Sequence, residues 1–168
     1  MTCRTFALIL TCLAGTAGAQ TGEVLDLPYL DMVETRFGTL TIGPAPLDGY
    51  EGKELLLNGI PVEGMKDAYL DIQAVLPMPD GDAQDWVLIS IGGGGTGCPT
   101  LWAFVAVTPD GTRATAPFGT CSEAILDLRT TESAFLQFDM VSIAERDNAL
   151  YTYTFDGAKV SEFISPRD

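Results

Sequence analysis

The sequence contains no histidine. That removes Ser-His-Asp triads, Cys-His nucleophile pairs and every histidine-ligated zinc or copper site. Cations are scarce: nine Lys and Arg stand against 23 Asp and Glu, for a formal charge of −14. A field of that sign repels nucleic acid and anionic membrane surfaces, so neither is an expected partner. It favours solubility and a basic partner. Lysine-assisted serine chemistry also drops out. Lys53, Lys66 and Lys159 fall at turns and strand ends, and no S-x-x-K occurs. The N-terminal apolar run, Phe6–Leu13, is too short to serve as a permanent membrane anchor.

Residues 1–19 have the layout of a secretory leader. Arg4 supplies the positive charge, Phe6–Leu13 the apolar core, and Ala17-Gly18-Ala19 the small residues before a cut at Gln20. A lipoprotein site at Cys12 is the alternative, disfavoured because Thr11 stands where Gly, Ala or Ser is wanted and Cys12 sits too early in the run. Residues 20–168 then form a single domain, long enough for a real core. Arg4 leaves with the leader and all 23 acids stay, so the mature chain is one unit more negative. Cys3 and Cys12 leave too. The remaining pair, Cys98 and Cys121, reads as one disulfide in a periplasmic or secreted protein.

Two solid apolar runs, Trp86–Ile91 (with Ser90 inside it) and Leu101–Val107, dominate what is present. Runs like these, apolar on both faces, are expected of strands buried on both sides. Asn58-Gly59, between apolar runs in Lys53–Val62, is a type I′ hairpin signature, since both turn residues tolerate positive φ. Pro61 directs the second strand to a sheet edge. Tyr69–Leu76 alternates, with Leu70, Ile72, Ala74 and Leu76 expected on one face and Asp71 and Gln73 on the other. Arg36–Ile42 reads as a strand, broken by Gly43-Pro44-Ala45-Pro46. Asp26-Leu27-Pro28, followed by Leu30, Val33 and Phe37, reads as a short capped helix, with an extended segment as the alternative.

Thr108-Pro109-Asp110-Gly111 turns the chain into Thr112–Ala116. This hairpin is what lets Cys98 and Cys121 meet. Ala124–Leu128, Ala134–Met140, Leu150–Phe155 and Lys159–Ile164 are further strands. Tyr151, Tyr153 and Phe155 share one face of theirs. Nine or ten short strands with turn chemistry between them predict an all-β fold, an antiparallel β-sandwich or partly open barrel.

Two motifs invite a ligand. Gly92–Gly97 satisfies G-x-G-x-x-G, which makes Gly93, Gly94, Gly95 and Thr96 a candidate binding loop. A dinucleotide site needs a helix to follow, whereas Cys98-Pro99 leads into a β-rich run. The glycines are expected to serve the turn, and the loop's amides could cradle a small anion. Asp80, Asp82 and Asp85 are the nearest approach to a metal set. As an EF loop the segment places Asp85 where Gly is required and Ile91 where a bidentate Glu is required. No metal and no cofactor is expected. Trp86 and Trp102 are assigned to the core rather than to a carbohydrate-binding face.

Five signatures occur in order: FGTL at 37–40, LLLNGIPV at 55–62, GGTGCP at 94–99, FGTCS at 118–122 and YTFDGAKV at 153–160. With these the chain resembles a group of functionally uncharacterised exported proteobacterial proteins. The resemblance implies export, a β fold and the Cys98–Cys121 pair, and implies no activity. With neither a nucleophile–base set nor a ligand set, the expected function is an exported, non-catalytic binding module. It would act as an inhibitor or accessory subunit of another exported protein, a basic one by charge. The alternative is a hydrolase using two carboxylates on carbohydrate.

Overall fold

The computed structural model describes residues 27–76, 83–92, 97–131, 136–142 and 147–167. The leader, the candidate glycine loop Gly93–Thr96, and both Asp80 and Asp82 lie outside the described residues. Twelve strands are present among the described residues, in three four-stranded antiparallel sheets.

The middle sheet sets the architecture. Its order is β5 (Tyr69–Leu76), β6 (Asp85–Gly92), β7 (Leu101–Thr108) and β8 (Gly111–Ala114). Every residue of β6 is buried, as are the six inner residues of β7. The reason is a separate core on each face. Val87, Ile89, Val105 and Val107 meet Leu40, Leu55, Val62 and Met65 of the first sheet. That sheet comprises β1 (Met32–Thr35), β2 (Gly38–Leu47), β3 (Tyr50–Leu57) and β4 (Ile60–Asp67). On the opposite face Trp86, Leu88, Phe104 and Ala106 meet Ile125, Phe138, Tyr153 and Phe155 of the third sheet. Its spatial order is β12 (Val160–Pro166), β11 (Ala149–Phe155), β10 (Leu136–Val141) and β9 (Ile125–Thr130). The fold is therefore a sandwich of three layers, with no closed barrel. Each fully buried Val, Leu, Ile or Phe stabilises it by roughly 1.5–3 kcal/mol. The second core is aromatic: Trp86 meets Phe155 edge-on at 4.3 Å, and Phe104 stacks on Phe155 at 4.6 Å.

Local turn chemistry behaves as the sequence reads. Asn58 and Gly59 have φ of 51° and 83°, and they join β3 to β4. β4, which carries Pro61, is an edge strand. β7 and β8 close on the pair Thr108↔Gly111, leaving Pro109 and Asp110 as the turn. The return continues past β8, where Trp102 and Phe118 exchange two backbone hydrogen bonds of 2.8 Å. Cys98 and Cys121 are thereby brought to a Cα separation of 4.6 Å and form the disulfide. Gly119, at φ 127°, lies against the Trp102 ring, where an added Cβ would sit 3.0 Å from Cδ1.

Three expectations are corrected. The segment ahead of Phe37 is not a helix among the described residues. Leu30 pairs with Ile72 through hydrogen bonds of 2.8 and 3.2 Å, and Met32–Thr35 is β1. One or two helical turns form too few bonds to offset nucleation, whereas flanking strands supply partners at once. Gly43-Pro44-Ala45-Pro46 does not break β2, which runs on to Leu47. Thr39 accepts from Asn58 across β3, and Ile42 donates to Asp31 on the other side. Alternation then points the nitrogens of Pro44 and Pro46 away from β3, to the side where β1 no longer runs.

The third correction lies in β5. A bulge between Ile72 and Ala74 shifts the register. Leu70, Ile72 and Val75 face the first core, and Ala74 and Leu76 face the second. Gln73 is buried at the bulge and donates to Ser90 Oγ at 2.9 Å.

Candidate functional site

Paired carboxylates come first, because a glycoside hydrolase needs two facing one space. Asp127 on β9 lies opposite Asp139 on β10, on the outer face of the third sheet. Arg129 sits between them, donating from Nη1 to Asp127 at 2.5 Å and to Asp139 at 2.7 Å. Thr152 Oγ1 donates to the second oxygen of Asp139 at 2.6 Å. The Asp139 hydrogen bond raises the Arg129 pKa, burial opposes it, and Asp127 adds to the rise. One guanidinium thus binds both carboxylates on the outer face of the sheet.

Asp85 is committed as well. Its Oδ2 accepts from the Arg36 backbone N–H and its Oδ1 from Arg36 Nε, each at 2.7 Å. Arg36 also donates to the Gln84 carbonyl at 2.8 Å. The clamp ties the β1–β2 turn to the start of β6, and it takes both oxygens that a cation would need. No group of three or more metal-ligating side chains occurs among the described residues. The carboxylates with shifted pKa values move downward. Asp147 is lowered chiefly by the Tyr151 hydroxyl, and Asp156 chiefly by the backbone N–H of Lys159 and then of Ala158. A general acid requires the opposite shift.

A cavity of about 280 Å³ lies beside the β7–β8 hairpin, with polar groups from Gln84, Thr108, Asp110, Thr112 and Arg113. Asp110 is the carboxylate that lines it. Arg113 is already engaged: Nη2 donates to the Gly157 carbonyl at 2.7 Å, and the guanidinium lies 5.8 Å from the Trp86 ring centroid. These contacts fasten the Asp156-Gly157 turn to the middle sheet. Gly92, which begins the glycine motif, is buried in β6, and β7 follows the loop at Leu101. The strand there lacks the helix N-terminus that holds a pyrophosphate. Trp86 and Trp102 are both core residues, 1% and 3% exposed.

The remaining feature is the free edge of the third sheet. β12 pairs with β11 on one side, and among the described residues no strand pairs with the other. Phe163 is 67% exposed and Ile164 53%. They are adjacent in a strand, so they emerge on opposite faces. Phe163 lies across from Thr152 on the outer face, and Ile164 across from Tyr151 on the inner one. Glu162 lies across from Tyr153, whose hydroxyl donates to Glu162 Oε2 at 2.6 Å. Burial and then Glu162 push the Tyr153 pKa upward, so this phenol stays protonated and the bond persists.

Two hydrogen bonds fix which way the edge faces. Asp156 donates to the Lys159 carbonyl, and Arg167 donates to the Asn148 carbonyl. Both lie on the register that pairs Phe155 with Val160. In antiparallel pairing, odd-numbered residues of β12 therefore bond inward to β11. The N–H and C=O of Val160, Glu162 and Ile164 point outward. Pro166 occupies the next outward position and offers only a carbonyl.

No protein-family model, curated protein or solved structure matches this chain. The β12 edge was not among the sequence-derived candidates. Its signal was the consecutive Phe163-Ile164 between Ser161-Glu162 and Ser165, which puts a large apolar side chain on each face.

Proposed function

We propose that the chain is an exported, non-catalytic binding module that engages another exported protein, as an inhibitor or accessory subunit would. The observation carrying this reading is the exposed apolar edge at Phe163 and Ile164. Natural edge strands are usually blunted by charge, proline or cover. The site offers shape and backbone groups rather than a nucleophile. Export rests on the leader at 1–19 and on the Cys98–Cys121 disulfide, a bond that persists in oxidising compartments. No helix among the described residues is long and apolar enough to cross a membrane. The formal charge of −14 favours a basic partner and speeds its approach at low salt.

The test compares immobilised wild type with Phe163→Asp in periplasmic extract and culture medium of the native host. The expected result is a protein retained by wild type, lost with the variant, and bound again when purified alone. Equal retention by both proteins refutes the reading. Release of reducing sugar from a polysaccharide panel would instead assign the chain to carbohydrate hydrolysis.

A further inference from the structure

We infer that β12 is a strand-addition site, and that its occupant is an extended segment carrying a Lys or Arg between two apolar residues. The inference rests on the binding-module reading and specifies its geometry. The outward N–H and C=O groups of Val160, Glu162 and Ile164 form half of an antiparallel ladder. A fifth strand laid there at about 4.8 Å would complete it. Side chains beside that strand then define the occupant. The inner face presents Val160, Glu162 and Ile164 in a row, which is apolar, acidic, apolar. The outer face presents Ser161, Phe163 and Ser165, which is polar, aromatic, polar. Cross-strand neighbours prefer opposite charge and apolar contact. The matching segment therefore carries a cation facing Glu162 with an apolar residue on each side, and another apolar residue beside Phe163. Pro166 ends the ladder, because it has no N–H to offer.

A second copy of this chain is the other conceivable occupant. Two-fold pairing centred on Glu162 sets it against its own copy, and every register brings together two chains of formal charge −14. Charge thus favours a basic segment from a different protein.

The probe is a fluorescein-labelled peptide with the core Val-Val-Lys-Thr-Val, which pairs antiparallel with Ile164 back to Val160. Fluorescence anisotropy with the purified protein should show saturable binding. Replacing the central Lys by Glu should weaken it about tenfold. N-methylation of the first, third and fifth core residues removes the donors that face β12, and should weaken binding by at least about tenfold. N-methylation of the second and fourth leaves those donors in place, and should change binding by less than about twofold. Ile164→Pro deletes one outward N–H while sparing the β11 ladder, and should lose the probe while keeping its melting temperature. Glu162→Lys should reverse the preference, so that the Glu peptide binds better.

Equal binding of both N-methylated peptides overturns strand addition, as does absence of binding at millimolar probe. A dimer detected by sedimentation and abolished by Ile164→Pro assigns the edge to a second copy and overturns the basic-segment occupant. A native partner that is lost with Phe163→Asp but kept by Ile164→Pro overturns strand addition while leaving the binding-module reading intact. Failure of the wild type to retain any partner, together with failure of the peptide, overturns both.

Discussion

Removing the disulfide tests whether the two cores hold the sheets without a covalent tie. Cys98 and Cys121 are 23 positions apart and join the start of the β7 segment to the end of its return. The chain-entropy relation for a loop of that length gives a stabilisation of roughly 3 kcal/mol, acting through the unfolded state. At about 2.1 cal/mol/K of unfolding entropy per residue, residues 20–168 melt with an entropy of about 0.3 kcal/mol/K. The melting temperature of Cys98→Ser/Cys121→Ser should therefore fall by about 10 °C. The sheet should persist at room temperature. The hairpin register is held independently by Thr108↔Gly111 and by the paired bonds between Trp102 and Phe118, and both faces of β7 stay buried. Far-ultraviolet circular dichroism melts of wild type, of wild type with reductant and of the double variant measure this directly. In urea the variant should also show a larger m-value, because its unfolded chain exposes more surface. An unchanged melting temperature in the variant would refute the entropic account. Loss of the sheet signal at 25 °C would refute the claim that the cores suffice.

Three further outcomes follow from particular contacts. Gly119→Ala places a Cβ against Trp102 at a positive φ, so it should cost about 1–3 kcal/mol by urea denaturation; Gly49→Ala, with open space around it, should cost less. Asp85→Ala strips two charge-assisted hydrogen bonds from the β1–β2 turn, and should cost about 2 kcal/mol after allowance for the half-exposed Arg36; an effect below a few tenths would show the clamp to be idle. Asp156 has a lowered pKa because its carboxylate accepts the Lys159 and Ala158 N–H groups, so its contribution is present above pH 4 and lost as pH falls through the folded value. Asp156→Asn keeps an acceptor but cannot titrate, so its melting temperature should fall less steeply than wild type between about pH 5 and 3. Parallel curves for the two proteins would remove Asp156 as a source of acid sensitivity.

Legibility tracked how far apart the deciding groups lie. The Asn58-Gly59 turn is decided by the φ preferences of its own two residues, and it reads directly. Trp86–Ile91 and Leu101–Val107 read as buried on both faces because their composition alone forbids a wet one. The face assignment of Tyr69–Leu76 failed for the opposite reason. The alternation is regular, but Gln73 enters a bulge whose partner, Ser90, is 17 positions away. Pro44 and Pro46 read as breakers because proline removes a donor. That loss is harmless where β1 has already ended. The candidate site was illegible on the same grounds. Phe163 and Ile164 are ordinary strand residues until the order of the sheet places β12 at its end, with β11 as its one partner among the described residues.

The sequence by itself determined the all-β class, the hairpin turns, the two-sided burial of the central strands and the pairing of Cys98 with Cys121. Each depends on backbone preference, side-chain polarity or loop closure, which act within a short stretch of chain. Only the tertiary structure decided that the sandwich has three layers, that Asp85 belongs to Arg36, and that no strand among the described residues pairs with the outer side of β12. Those outcomes depend on which strands become neighbours, a choice made by burial summed over the whole chain.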